Sequence, residues 1–339
     1  MQLPVPGLLT GALNRSRRLD GTAFAADTPF GPPAGRYRTV HYGVMVPNLP
    51  APLRFMDVIA VIGQPRIPIW SNPQLVTTTA ADTVSLLTAT GAPGGARHVG
   101  LSAARDCEFA ADGSRLRFGS ELEITGSYPQ FRVHRPDPDV GFDLELTASR
   151  TVTHFARMRA GVYDHWSLLC RYRGTFRVDG ADVAAEGLAN LEYARGADIS
   201  LPFRVFTYHV INVDDRTQVL FGQVRGPAGS LLQNEVYVRS LDEPSRVHRA
   251  GVRIRIASYE REPRLTPDGR AMRLPERFEW RARERGRHLL VSIEGRANGD
   301  WAYGMAAGFA GSFEYTGRFR GEPIAGTGYL EYIDGRRAP

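Results

Sequence analysis

The strongest constraint on this chain is a pattern that occurs twice. Residues 172–177 read YRGTFR and residues 315–320 read YTGRFR, the same Tyr-x-Gly-x-Phe-Arg arrangement. Each copy runs through a turn into a segment carrying Leu-Glu-Tyr, at Leu191-Glu192-Tyr193 and at Leu330-Glu331-Tyr332. The copies stand about 140 residues apart, the length of one barrel of roughly eight to ten strands. The segments TVHYGVMV (39–46) and TYHVINV (207–213) echo each other faintly as the openings of two such units. The 339 residues therefore divide into an arm over 1–36, a first half over 37–200 and a second over 201–339.

Both halves read as strands. Leu122 and Ile124 alternate with Glu121 and Glu123, and Phe142, Leu144 and Leu146 with Asp143 and Glu145. Val252, Ile254 and Ile256 alternate with Arg253 and Arg255, and Phe278 and Trp280 with Glu279 and Arg281. A period of two with one apolar face marks half-buried antiparallel strands. Asp112-Gly113, Asp179-Gly180, Asp268-Gly269 and Asp334-Gly335 supply hairpin dipeptides. The 36 glycines and 23 prolines punctuate short strands, and no dozen-residue amphipathic helix interrupts them. The expected class is all-β.

Charge excludes several functions. The net charge is +6, and every one of the 42 basic residues is arginine. Without lysine there is no Schiff base, no pyridoxal phosphate anchor and no phosphate-loop lysine. The arginines interleave with acids, as in Arg253, Arg255, Glu260, Arg261, Glu262 and Arg264, and no nucleic-acid-reading motif accompanies them. Cys107 and Cys170 form no CxxC pair, and the eight histidines show no HxxxH, HxH or HExxH spacing, so neither metal nor cofactor is expected. The apolar run of MQLPVPGLLTGALNRSRR precedes its basic cluster, the reverse of a secretory signal, and no stretch is apolar enough to span a membrane. The expectation is a soluble cytoplasmic protein, with peripheral membrane contact left open.

Against this background, FTYHVINVDDRTQVLFGQVRGPAG (206–229) resembles the hairpin that opens the second barrel of the carotenoid 1,2-hydratase and AttH-like proteins. YRGTFRVDGADVAAEGLANLEYARG (172–196) is similar to the hairpin that closes their first barrel. HYGVMVPNLPAPLRFMDVIAVIG (41–63) also resembles a bacterial family of unknown function with that architecture. The resemblance implies two antiparallel lipocalin-like β-barrels with a cavity for a hydrophobic, isoprenoid or polyketide-like molecule. It also implies cofactor-free hydration, dehydration or isomerisation, or else a carrier using the same cavity. One departure is specific. After Gly187 the hydratase pattern places Trp and then Asp, where this chain has Asn190 and Glu192.

The candidate site follows. His209 shares a strand face with Phe203, Val205, Ile211 and Val213, a setting that favours a neutral imidazole able to pass protons. Glu192 stands at the acid position of the resemblance, and an apolar cavity raises a carboxyl pKa enough for general-acid work. Glu192 and His209 are thus the expected proton carriers. The bland alternatives are a hydrogen-bonded core histidine, and barrel-closing ion pairs of Arg177 with Glu192 and of Arg320 with Glu331. Trp166, His165, Tyr208, Trp301, Tyr303 and Glu331 are candidate pocket residues, whose aromatic faces would stabilise a cation.

Overall fold

A computed structural model describes residues 14–284 and 288–336; the arm's first thirteen positions lie outside them. Strand makes up 60% of the chain, and no helical segment among the described residues exceeds four residues. The first half holds β1 (Tyr37–Val46), β2 (Met56–Ile62), β3 (Thr83–Thr90) and β4 (Arg97–Ser102). After a helical turn at Ala103–Asp106 come β5 (Cys107–Phe109), β6 (Arg115–Phe118), β7 (Leu122–Ser127) and β8 (Gln130–Arg135). Three long strands complete it: β9 (Phe142–Arg157), β10 (Tyr163–Val178) and β11 (Ala181–Ala197). All eleven pair in the order β4-β3-β2-β1-β11-β10-β9-β8-β7-β6-β5, a meander whose first and last strands meet and whose sheet closes nearly into a barrel.

The second half repeats this plan. Its strands are β12 (Val205–Asn212), β13 (Thr217–Arg225), β14 (Leu231–Ser240), β15 (Arg246–His248) and β16 (Arg253–Tyr259). A small ribbon, β17 (Arg264–Leu265) and β18 (Ala271–Met272), precedes β19 (Pro275–Arg283), β20 (Leu289–Ala297) and β21 (Ala302–Met305). The half ends with β22 (Gly308–Phe319) and β23 (Glu322–Asp334). The path β15-β14-β13-β12-β23-β22-β20-β19-β16 again joins first strand to last, but this sheet stays open as a half-barrel. Together they form the double lipocalin-like fold.

The repeat has a physical basis in the closing hairpins. Tyr172 lies opposite Gly187 and Tyr315 opposite Gly326. A Cβ at either glycine would stand 3.3 Å or 3.2 Å from the facing tyrosine ring or hydroxyl, so glycine lets both rings lie across the neighbouring strand. The hairpins differ in length and in how their tips turn. Asp179 and Gly180, both with positive φ, turn the first, as a two-residue loop of this hand requires. Arg320 and Gly321 turn the second, shorter one. Asp112-Gly113 and Asp268-Gly269 also join paired strands, whereas Asp334-Gly335 lies at the end of β23, with no described strand after it.

This geometry removes the expected ion pairs. Arg177 binds its cross-strand neighbour Asp182 at 2.9 Å, and Arg320, consumed in the turn, lies over the Phe319 ring at 5.1 Å. Neither reaches a Leu-Glu-Tyr glutamate.

The described part of the arm seals the first barrel. Ala23 bridges to Thr151, and Phe24 packs on Tyr128 and Trp166 at 4.9 and 5.0 Å. Phe30 contacts Tyr42, Phe131, Trp166 and Tyr193. Tyr42 and Tyr193 donate to the carbonyls of Phe30 and Gly31 at 3.0 and 2.9 Å. Fully enclosed Phe→Ala changes cost 3–5 kcal/mol, and Phe30 is half-buried. Phe30→Ala is therefore expected to lower stability by about 2 kcal/mol in urea denaturation; an unchanged midpoint would show that the arm does not stabilise the barrel.

Candidate functional site

Strand alternation decides which residues meet. Along β1, Val40, Tyr42 and Val44 enter the first barrel's core, while Met45 joins the cluster shared with the second half. His41 and Gly43 follow the parity of Met45. Along β11, Leu191 and Tyr193 point inward, which turns Glu192 outward, opposite Gly43. In the second half Tyr208 and Glu331 are cross-strand partners. The outward faces of the two halves press together, and a cavity of about 190 Å³ opens in that seam. Met45, Ile59, Val61, Phe155, Phe203 and Leu232 form much of its apolar wall.

One corner is polar. Glu192 is 3% exposed. Its Oε1 accepts from the Tyr208 hydroxyl at 2.8 Å and from Asn190 Nδ2 at 3.4 Å, and its Oε2 lies 3.6 Å from His165 Nε2. The His41 ring stands 5.9 Å from that of His165 at 88°. Donor atoms of His41, His165 and Glu192 all fall within 4.8 Å of one another, a grouping with metal-ligand chemistry. Phe155 packs its ring against His165 and Tyr208 at 4.8 and 5.8 Å.

The two repeat-related glutamates sit in opposite electrostatic settings. Burial raises the Glu192 carboxyl, but His165, His41 and Tyr208 outweigh it and hold the group below its ordinary range. Glu331 is pushed well above that range, by burial first and then by Asp57 and Glu192; the hydrogen bond from Tyr329 offsets only part. Tyr329 donates to Glu331 Oε1 at 2.9 Å. Asp57, itself fully buried, is raised in the same way. One cavity is thus lined by a carboxyl held below its ordinary range and a carboxyl pushed above it.

Beneath this corner lies Arg239, 0% exposed. It donates to Ser167 O and Oγ at 3.2 and 2.8 Å, to Asn190 Oδ1 at 2.8 Å and to Gln218 Oε1. Asn190 Nδ2 donates to Tyr208 Oη at 3.1 Å as well as to Glu192. Asn190, the residue standing where the hydratase pattern has tryptophan, connects the buried cation to the carboxylate.

Of the residues expected at the site, Glu192, His165, Tyr208 and Glu331 line this cavity. His209 does not. It adjoins Tyr208 on β12 and points the other way, into the second half's core against Phe278, Trp280 and Phe313. Its Nδ1 accepts from Trp280 Nε1 at 2.8 Å, and no pairing with Glu192 forms. Trp166 lies inside the first barrel beside Tyr193. Trp301 donates to Glu260 at 2.6 Å, and Tyr303 accepts from Gln74 at 3.1 Å, both away from the cavity lining. His41, Phe155, Asp57 and Arg239 were not singled out by the sequence. The echo of TVHYGVMV in TYHVINV contained His41, yet the two β-registers place His209 level with Val44, not with His41.

The sequence matches a family model over residues 59–339, most of its length. The chain belongs to the family of unknown function DUF6670. No curated protein matches it. Among solved structures, this DUF6670 chain is similar to an AttH candidate from Nitrosomonas europaea, with TM-score 0.66, 13% identity, and 93% of this chain and 98% of that one covered. Kievitone hydratase from Nectria haematococca aligns with TM-score 0.55 and 9% identity over 93% and 98%. CghA with Sch210972 gives 0.52 and 11% over 93% and 97%. At these identities the likeness is one of fold.

His209 yields a test of its structural setting. Burial pushes its pKa down from 6.5 to about 3. The unfolded chain takes up a proton that the folded chain refuses, so this contribution is complete above about pH 6.5 and is lost as pH falls towards 3. The slope is about 1.4 kcal/mol per pH unit for the one proton. His209→Ala should cost about 1–3 kcal/mol at pH 8, because the Trp280 N–H loses its acceptor. It should also flatten the acid side of the stability profile in urea denaturation. Wild-type stability and slope in the variant would contradict this assignment.

Proposed function

We propose that this protein binds a hydrophobic small molecule, isoprenoid or polyketide-like, in the seam cavity and carries out cofactor-free acid–base chemistry on it. Hydration, dehydration and isomerisation are the reactions this arrangement suits. The observation that carries the reading is geometric: glutamates from equivalent strands of the two halves, Glu192 and Glu331, line one otherwise apolar cavity. Environments that drive two carboxyls apart in pKa mark an acid and its counterpart. Glu331, whose carboxyl burial pushes well above its ordinary range, is the proton donor. Glu192, anchored through Oε1, and Tyr208 orient the polar end of the ligand or a reacting water.

In the hydration direction Glu331 transfers its proton to one carbon of a double bond. Water adds at the neighbouring carbon, and the proton that water loses returns to the Glu331 carboxylate. The net change is addition of H and OH, and the acid is regenerated. Dehydration is the reverse, and isomerisation omits the water. Phe155 offers a ring face to a cationic intermediate. That kievitone hydratase and a protein solved with Sch210972 share this fold supports the reading.

Mass spectrometry of apolar extracts from the purified protein should find a bound hydrophobic molecule. Incubation of that complex in deuterated water should place deuterium on a ligand carbon. The isosteric Glu331→Gln should retain the ligand and slow exchange at least about 100-fold, the scale of a lost general acid. Retention with no exchange in the wild type would leave a carrier; extracts without a ligand would remove the reading altogether.

A further inference from the structure

The corner formed by His41, His165 and Glu192 has features that catalysis by Glu331 does not use. The three residues come from β1, β10 and β11, three strands that lie side by side. This explains why no metal-binding spacing is visible along the chain: the ligand set exists only across the sheet. We infer that this corner is a binding site for one divalent first-row transition cation, held by His41 Nε2, His165 Nε2 and Glu192 Oε2.

Four observations carry it. Donor atoms of the three side chains already lie within 4.8 Å of one another. A tetrahedral or octahedral cation with bonds of about 2.0–2.2 Å needs its neighbouring ligand atoms about 2.8–3.6 Å apart, and His165 Nε2 and Glu192 Oε2 stand at 3.6 Å. Next, both imidazoles have their other nitrogen engaged. His41 Nδ1 meets the Ala60 carbonyl at 3.3 Å, and His165 Nδ1 meets the Tyr163 hydroxyl at 3.4 Å. Such outer contacts fix ring orientation in metal sites and leave Nε2 to the ion; His165 Nε2 has no hydrogen-bond partner.

The carboxylate is prepared in the same way. Tyr208 and Asn190 both hold Oε1, which leaves Oε2 towards the histidines. Lastly, Gly43 keeps the space clear: a Cβ there would lie 3.0 Å from His41 Nε2 and 3.2 Å from Glu192 Cβ. Two histidines with one carboxylate suit zinc or ferrous iron and leave coordination positions for water or ligand. Among the described residues, the second half has no such corner. Its register puts Phe206 level with His41 and Tyr208 level with Gly43, and Gly308 precedes the Phe309 that matches Trp166.

The test uses the full chain after chelator treatment, with Zn²⁺ titrated calorimetrically and Co²⁺ as the visible-absorption probe. One equivalent of Zn²⁺ should bind, and Co²⁺ should develop a ligand-field band. His41→Ala, His165→Gln and Glu192→Gln should each weaken binding by tenfold or more, and Gly43→Ala should weaken it with all three ligands still present. Glu331→Gln, outside the ligand set, should bind Zn²⁺ as the wild type does. Failure of the wild type to bind, or equal affinity in the ligand variants, overturns the site. Zinc bound to protein whose extracts hold no apolar molecule would keep this site and remove the ligand reading; the converse result would do the opposite.

Discussion

Arg239 sets the terms on which the two halves meet. A guanidinium with no solvent exposure is costly unless hydrogen bonds replace its water. Here Ser167 and Asn190 supply them from the first half and Gln218 from the second. No single half can satisfy this cation. Asn190 then passes the order upward, since its Oδ1 accepts from Arg239 while its Nδ2 donates to Tyr208 and Glu192. A tryptophan at 190 could provide neither the acceptor nor the second donor. The departure from the hydratase pattern is thereby tied to a different support for the carboxylate beside it.

The repeat makes the halves alike, and the site depends on where they stop being alike. Glu192 and Glu331 occupy equivalent registers, opposite Gly43 and Tyr208. In the first half the missing side chain at Gly43 opens room for imidazoles, and Glu192 is held ionised among them. In the second half Tyr208 fills that room and reaches across to Glu192, while Glu331 faces Tyr329 and Asp57 and is pushed above its ordinary range. One substitution of tyrosine for glycine thus serves both corners. It supplies a hydrogen bond to one glutamate and fills the space beside the other.

Much of the fold was legible because strands announce themselves locally. Period-two alternation, Asp-Gly turns and the Tyr-x-Gly-x-Phe-Arg pattern each depend on neighbours a few residues away, and each corresponds to a hairpin in the structure. The site depends on parity between distant strands, and parity is fragile. Aligning His209 with His41 by the shared Thr-x-His is off by three positions from the true register, and an odd slip exchanges the two faces of a strand. That is why the apolar company of His209 was legible while its expected partnership with Glu192 does not form. The same rule hides His41, whose partners His165 and Glu192 lie more than a hundred residues away. Asp57 and Arg239 carried no signal either, since nothing beside them in the chain marks a charged side chain for complete burial.

The seam also explains where chemistry can occur. The interior of the first barrel is filled by Tyr42, Phe118, Trp166 and Tyr193 and stoppered by Phe24 and Phe30 of the arm. The second sheet's inner face is filled by Phe221, Phe278, Trp280 and Phe313 around His209. Aromatic rings thus occupy both interiors. On an isolated half, Glu192 and Glu331 would be outward-facing carboxylates in water, with ordinary acidity. Docking of the halves removes that water, and only then do differences in neighbours become large differences in protonation. Duplication of the fold is therefore the source of the site: the second half is the desolvating wall of the first, and the reactive groups of each take their character from the other.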